Sequence, residues 1–222
     1  MLPRTPSYRL DGKRAVVIGG SRGIGLGCAV ALAEQGASVV IVARSKGQVF
    51  ETVNEMKSEG FSVSGTSMDV RIIDNVKNLM GEYSDIDILV NSAGIARHTP
   101  TVDTTELDFD DVMSVNVRSA YFLAQSAAKQ MISKGTGGSI IQISSQMAHV
   151  GGIDRAVYCG TKHAIEGINK SMAIEFGPHK IRVNSICPTF IRTPFTEPTF
   201  KDPEKVKWIE SKIKVGRVGE VE

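Results

Sequence analysis

At 222 residues, 41% hydrophobic and 23% charged, the chain can bury a full core without disulfides or metals. A net charge of +2, with no Lys/Arg run, argues against nucleic acid as a partner. No apolar stretch approaches the roughly 20 residues that span a bilayer, and residues 1–9 are too polar for a signal peptide, so a cytoplasmic protein with no membrane partner is expected.

Short β-branched runs alternate with segments of helical period. The first run is 14–18, followed by a Gly-rich turn and a helix over 23–35 with apolar Ile24, Cys28, Ala31 and Leu32. The second run, 38–42, is continuous rather than alternating, as in strands buried on both faces. A helix over 46–58, a weak strand over 61–66 and a helix over 72–83 follow. Strand 86–90 leads to one long helix over 106–133, and strand 139–143 to another over 157–176. Strand 181–186 is the last. Such β-α alternation demands an α/β fold, a doubly wound parallel sheet with helices on both faces. No linker or repeat divides the chain, so 1–222 reads as a single domain. After Pro188 the pattern loosens into loop and short helix, and 189–218 is expected to form a lid over a substrate. The three cysteines, Cys28, Cys159 and Cys187, form no CxxC pair and read as free thiols in a reducing compartment. No metal is expected.

The first turn, Gly19-Gly20-Ser21-Arg22-Gly23-Ile24-Gly25, lies between the first strand and the first helix. Glycines there permit a tight turn and close backbone approach to a pyrophosphate, and the helix N-terminus offers free N–H groups to the anion. The second strand ends in Val42-Ala43-Arg44-Ser45, without the carboxylate that commonly holds a ribose 2′-hydroxyl. Arg22 and Arg44 instead suit a 2′-phosphate, which favours NADP(H) over NAD(H).

Taken in order, Gly19-x-x-x-Gly23-Ile24-Gly25, Asn91-Ser92-Ala93-Gly94, Asn116, Ser145 and Tyr158-x-x-x-Lys162 resemble the short-chain dehydrogenase/reductase family over about residues 10–220. The resemblance implies a Rossmann-type sheet of order 3-2-1-4-5-6. It also implies a further helix and a seventh strand at the C-terminus, and the sequence ends before them. The usual Asn-Asn-Ala-Gly reads Asn91-Ser92-Ala93-Gly94 here, and Pro-Gly reads Pro188-Thr189.

By the same resemblance Tyr158 is the acid/base. A phenol near pKa 10 is a poor base at neutrality, and an ammonium on the same helix face would lower it. Lys162, four residues on, is placed to do so. Ser145, at the C-terminal end of the fifth strand, would polarise the substrate oxygen. Asn116 would orient a water and Lys162. Toward the cofactor the resemblance assigns Asp69 and Val70 to the adenine, Asn91, Ala93 and Gly94 to its ribose, and Pro188, Ile191 and Thr193 to the nicotinamide carboxamide.

The implied reaction interconverts a carbonyl and an alcohol. The segments expected to line the substrate pocket are rich in polar groups, with His98, Gln146, His149 and Arg155 beside Phe195. They point to a sugar, polyol or hydroxy acid. A 3-oxoacyl-[acyl-carrier-protein] reductase is an alternative, with Lys129, Lys134 and Arg118 as a basic rim. A nucleotide sensor or scaffold on the same fold is a reading of another class. The long helices are suited to a homodimer or homotetramer.

Overall fold

A computed structural model of the protein describes residues 5–221. Met1–Arg4 of the polar N-terminal stretch, and Glu222, lie outside the described residues.

Six parallel strands form one sheet in the order β3-β2-β1-β4-β5-β6. They are β1 (Arg14–Ile18), β2 (Ser38–Ala43), β3 (Val63–Ser67), β4 (Ile88–Asn91), β5 (Gly138–Ile143) and β6 (Ile181–Ile186). The central runs are continuously apolar because alternate side chains feed two different cores. Ala15, Val17, Val39 and Ile41 pack with α1 (Gly23–Glu34) and α2 (Lys46–Ser58) on one face. Val16, Ile18, Val40 and Val42 pack on the other with α3 (Ile73–Glu82), α5 (Ala120–Lys134) and α6 (Ala156–Phe176). Each fully buried Val or Ile contributes about 1.5–3 kcal/mol of transfer free energy.

The fourth strand begins two residues later than the apolar run predicts. Asp87 is still anchored to the sheet edge, its N–H donating to the Arg14 carbonyl at 2.9 Å. Its carboxylate accepts from the Arg14 N–H at 3.0 Å and from Lys134 Nζ at 2.8 Å. A buried carboxylate so placed demands partners, and it claims Lys134 for structure.

The long helix expected over 106–133 is interrupted. It consists of α4 (Glu106–Met113), a π-helical turn at Ser114–Ser119, and α5. Within the wide turn the Ser119 hydroxyl donates to the Val115 carbonyl at 2.5 Å. Such π turns cannot be told from α-helix by apolar period, and they gather at functional sites.

Beyond β6 the chain forms α7 (Glu197–Phe200) and α8 (Pro203–Lys212). It then returns so that Gly219 pairs with Ile191 in an isolated parallel bridge. The Arg192 N–H donates to the Gly219 carbonyl at 2.8 Å, and the Gly219 N–H donates to Phe190 at 3.0 Å. This closes 191–219 into a loop standing over the C-terminal ends of the strands, without a seventh strand among the described residues. None of the described helices is long and apolar enough to cross a membrane.

Candidate active site

The glycines of the first turn do what the sequence requires of them. Gly19 has φ +76°, and a Cβ there would lie 2.9 Å from the Ser92 carbonyl carbon. The close approach is fixed by Gly19 N–H donating to Val42 O at 2.7 Å and Ser92 N–H donating to Ile18 O at 2.8 Å. Gly25 is buried, and a side chain there would strike the Gly19 carbonyl. The turn thus delivers the start of α1 to the sheet's C-terminal edge. No side chain caps that helix, and its first turn holds no acidic residue. Its leading N–H groups and positive dipole end therefore face the cleft without a local anion.

A cleft of about 420 Å³ runs along this edge. It is lined by Gly19, Ser21, Arg22, Gly23 and Ile24 from the first turn, by Arg44, Asp69 and Val70 from the next two strand ends, and by Ala93 and Gly94 after β4. Ser145, Tyr158, Lys162, Pro188, Ile191 and Thr193 complete it. Gly25 and Asn91 are not among the lining residues. The Asn91 side chain is spent inside the protein, donating to Gln142 Oε1 at 2.8 Å and accepting from the Ala93 N–H at 3.2 Å. Its work is to shape the loop that lines the cleft. Arg22 and Arg44 are both exposed, and neither forms an ion pair among the described residues. Asp69 is engaged: Arg71 pairs with it at 2.6 Å and holds its carboxyl below the usual range.

A second, smaller hollow of about 80 Å³ adjoins the cleft. His98, Gln146, Arg155, Phe190 and Phe195 line it, with Thr199 from α7. Ser145 and Tyr158 line both cavities, together with Pro188, Thr189, Phe195 and Thr196. The hydroxyls named for catalysis therefore stand where the two cavities meet.

Lys162 is buried, and its Nζ donates to the Ile143 carbonyl at 2.9 Å. Burial lowers its pKa to about 8, against the opposing pull of Cys187 and Glu166. The Tyr158 phenol differs from expectation. Burial pushes it above its ordinary value, while the Ser145 hydroxyl and Arg155 act the other way. Lys162 does not offset this, because its Nζ points to Ile143 O and lies 5.6 Å from the Tyr158 ring centroid.

Asn116 sits in the π turn, buried, and lines neither cavity. Its Nδ2 donates to the Ile95 carbonyl at 2.8 Å and to Thr161 Oγ1 at 3.2 Å, and its Oδ1 accepts from the Ile95 N–H at 2.9 Å. It therefore fastens the loop after β4 to α6. The Gly94 Cα lies beside both groups: a Cβ there would be in ordinary contact with Asn116 Oδ1 at 3.5 Å and Lys162 Nζ at 3.9 Å. Asn116→Ala is expected to cost about 1–3 kcal/mol by leaving the Ile95 amide groups unpartnered, which a denaturant melt would measure.

His149 lies outside both cavities. It is exposed beyond the 3-10 turn Gln146–Ala148, which directs it away from the hollow. Arg97 faces α4, pairing with Asp111 at 3.1 Å. The basic rim invoked for an acyl carrier is also dispersed. Lys134 is held by Asp87 at the far end of the sheet, and Arg118 donates to the Arg71 carbonyl at 3.2 Å. Ser144, the neighbour of Ser145, is buried at the cleft floor with no hydrogen-bond partner for its Oγ among the described residues. Sequence reading also missed Thr189, whose Oγ1 donates to Gln146 Oε1 at 2.7 Å and fixes one wall of the hollow.

Fold and cleft together define a dinucleotide-binding oxidoreductase. The short chain dehydrogenase family profile matches residues 13–204. The chain belongs to the short-chain dehydrogenase/reductase family, whose members named here are oxidoreductases acting on CH–OH groups. It is 36% identical over 214 residues to L-xylulose reductase of Bos taurus, covering 96% of this chain and 86% of that one. It is also 36% identical over 217 residues to 2-dehydro-3-deoxy-D-gluconate 5-dehydrogenase of Escherichia coli, covering 96% and 85%. Among solved structures, a gluconate 5-dehydrogenase from Burkholderia cenocepacia in complex with NADP and tartrate superposes with a TM-score of 0.92 at 32% identity, covering 96% of this chain and 85% of that one.

Proposed function

We propose that the protein is an NADP(H)-preferring oxidoreductase that interconverts a carbonyl and a secondary alcohol on a small polyhydroxylated substrate such as a ketose or sugar acid. The observation that carries this reading is the junction: Ser145 and Tyr158 belong at once to the long cleft and to the polar hollow. The cleft fits a dinucleotide. The uncapped start of α1 and the bare backbone of Gly19 and Gly23 would hold the pyrophosphate, and Arg22 and Arg44 the 2′-phosphate. Asp69 and Val70 would face the adenine, Ala93 and Gly94 its ribose, and Pro188, Ile191 and Thr193 the nicotinamide end.

When bound, the nicotinamide supplies or accepts the hydride. The chain's own residues manage the proton and the oxygen. In reduction the Tyr158 hydroxyl gives a proton to the substrate oxygen, which Ser145 polarises by hydrogen bonding. Lys162 returns a proton toward Tyr158, and Asn116 holds the loop that keeps Lys162 in place. A phenol raised by burial stays protonated at neutral pH and suits this donor role. Reduction should therefore persist through neutral pH and fail in alkali, while alcohol oxidation should rise with pH. Rates in both directions across the pH range would check this.

In the hollow, Arg155, Gln146 and His98 would face the substrate's hydroxyl or carboxylate groups, and Phe195 would cover them from 189–218, the segment we assign as the lid. His98 is held neutral chiefly by burial and then by the charge of Arg155. A neutral ring beside a guanidinium suits a polyol or a single carboxylate better than a cation. The substrates named for the relatives above, a pentulose and a deoxy-sugar acid, support the same class.

Titration with NADPH and with NADH, followed by nucleotide fluorescence, tests the cofactor reading without any substrate. NADPH should bind at least ~10-fold more tightly, about 1.4 kcal/mol, and Arg44→Ala should erase most of the difference. Equal binding, or a preference for NADH, would overturn the 2′-phosphate assignment.

A further inference from the structure

Behind the junction three chain segments converge that the reaction does not use. His149 follows the 3-10 turn, Glu166 projects from α6, and Cys187 follows β6. Their ligand atoms (an imidazole nitrogen, a carboxylate oxygen and the thiol sulfur) all lie within 4.8 Å of one another. We infer that His149, Glu166 and Cys187 form a binding site for a divalent transition metal of the zinc class.

The donor set suits a borderline-soft cation, which takes imidazole, thiolate and carboxylate and leaves hard Mg²⁺ or Ca²⁺ poorly served. Metal–ligand bonds of about 2.0–2.3 Å place tetrahedral ligands roughly 3–4 Å apart, so the three groups need only a small closure. His149 is exposed and free to make that movement. Three protein ligands leave a fourth position for water.

The carboxylate is prepared for this role by its surroundings. Ser185 Oγ donates to Glu166 Oε2 at 2.8 Å, and the Cys187 thiol donates to Oε1 at 3.7 Å. Ser144 supplies the independent observation. Its N–H donates to the Ile186 carbonyl at 2.8 Å, which sets it beside Cys187, and its Oγ is buried with no hydrogen-bond partner among the described residues. The Ser185 hydrogen bond orients the carboxylate as an outer-shell partner does. Binding replaces the Cys187 S–H by a sulfur–metal bond and releases the proton to solvent, with no change of oxidation state.

The location gives the site a consequence. Cys187 immediately precedes Pro188, and His149 lies four residues after Ser145, so a metal would tie together two segments that wall both cavities. The site does not depend on the oxidoreductase reading, and its test needs no turnover.

The full chain, stripped with chelator, would be titrated with Co²⁺ and followed by absorption. One Co²⁺ per chain with a near-ultraviolet thiolate-to-cobalt charge-transfer band, displaced by Zn²⁺, is expected. Cys187→Ser should abolish the band, His149→Ala should weaken binding at least ~10-fold, and Cys28→Ser should change neither. A band that survives Cys187→Ser, or that is lost with Cys28→Ser, would overturn the assignment, as would no band at all. Thermal melts establish that each variant is folded. If Cys187→Ser fails to fold, substitution of the exposed His149 decides the question.

Discussion

Tyr158→Phe lowers turnover by about 10²–10⁴-fold while leaving nucleotide affinity within a few-fold of the parent, the loss expected when a positioned acid/base is removed. The side chain is partly buried at the junction, and only its hydroxyl differs in the variant. Fluorescence titration and steady-state rates read the two quantities separately. Should both fall together, the change has damaged the cleft. Unchanged turnover would contradict the acid/base assignment itself.

Lys162→Met has a comparable effect on turnover and an unusual one on stability. The buried ammonium of Lys162 has a pKa of about 8, against 10.5 for an ordinary lysine. Below pH 8 folded and unfolded chains both carry the proton, and the cost of burying the charge is present in full. Between pH 8 and 10.5 the folded chain releases the proton while the unfolded chain keeps it, so stability rises with pH through that window. The total is on the order of 3 kcal/mol, taking 1.36 kcal/mol per unit. Methionine fills similar space without the charge. The variant should therefore match or exceed the parent's stability at pH 7, less whatever the Ile143 carbonyl loses, and the gap should move toward the parent by pH 10. Denaturant melts of both proteins at the two pH values give the comparison. A gap independent of pH would show that Lys162 is not an unusually acidic ammonium.

Much of this architecture was legible because its causes are local. Strands buried on both faces must be apolar along their buried length, and residues 15–18 and 39–43 are. The first turn needs glycine at Gly19 and Gly25 for reasons of backbone contact, so its spacing in the sequence carries structural meaning. The π turn at Ser114–Ser119 was not legible, because one inserted residue per turn leaves apolar spacing almost unchanged. The fates of long polar side chains were not legible either. Asn91, Arg97 and Lys134 were each claimed by a partner remote in sequence, and His149 was turned out of the hollow by a three-residue helix. The lowered Lys162 and raised Tyr158 follow from burial, which no four-residue spacing reveals. The coincidence of Ser145 and Tyr158 in two cavities emerges only from the folded chain.

The most direct test of the account is the rate at which the purified protein oxidises NADPH with L-xylulose, with 5-keto-D-gluconate and with a bulky apolar ketone. The account predicts turnover with at least one of the two polyhydroxylated ketones, loss of that turnover in Tyr158→Phe, and a much poorer rate with the apolar ketone. Preference for the apolar ketone, or the same rates in Tyr158→Phe, would contradict it.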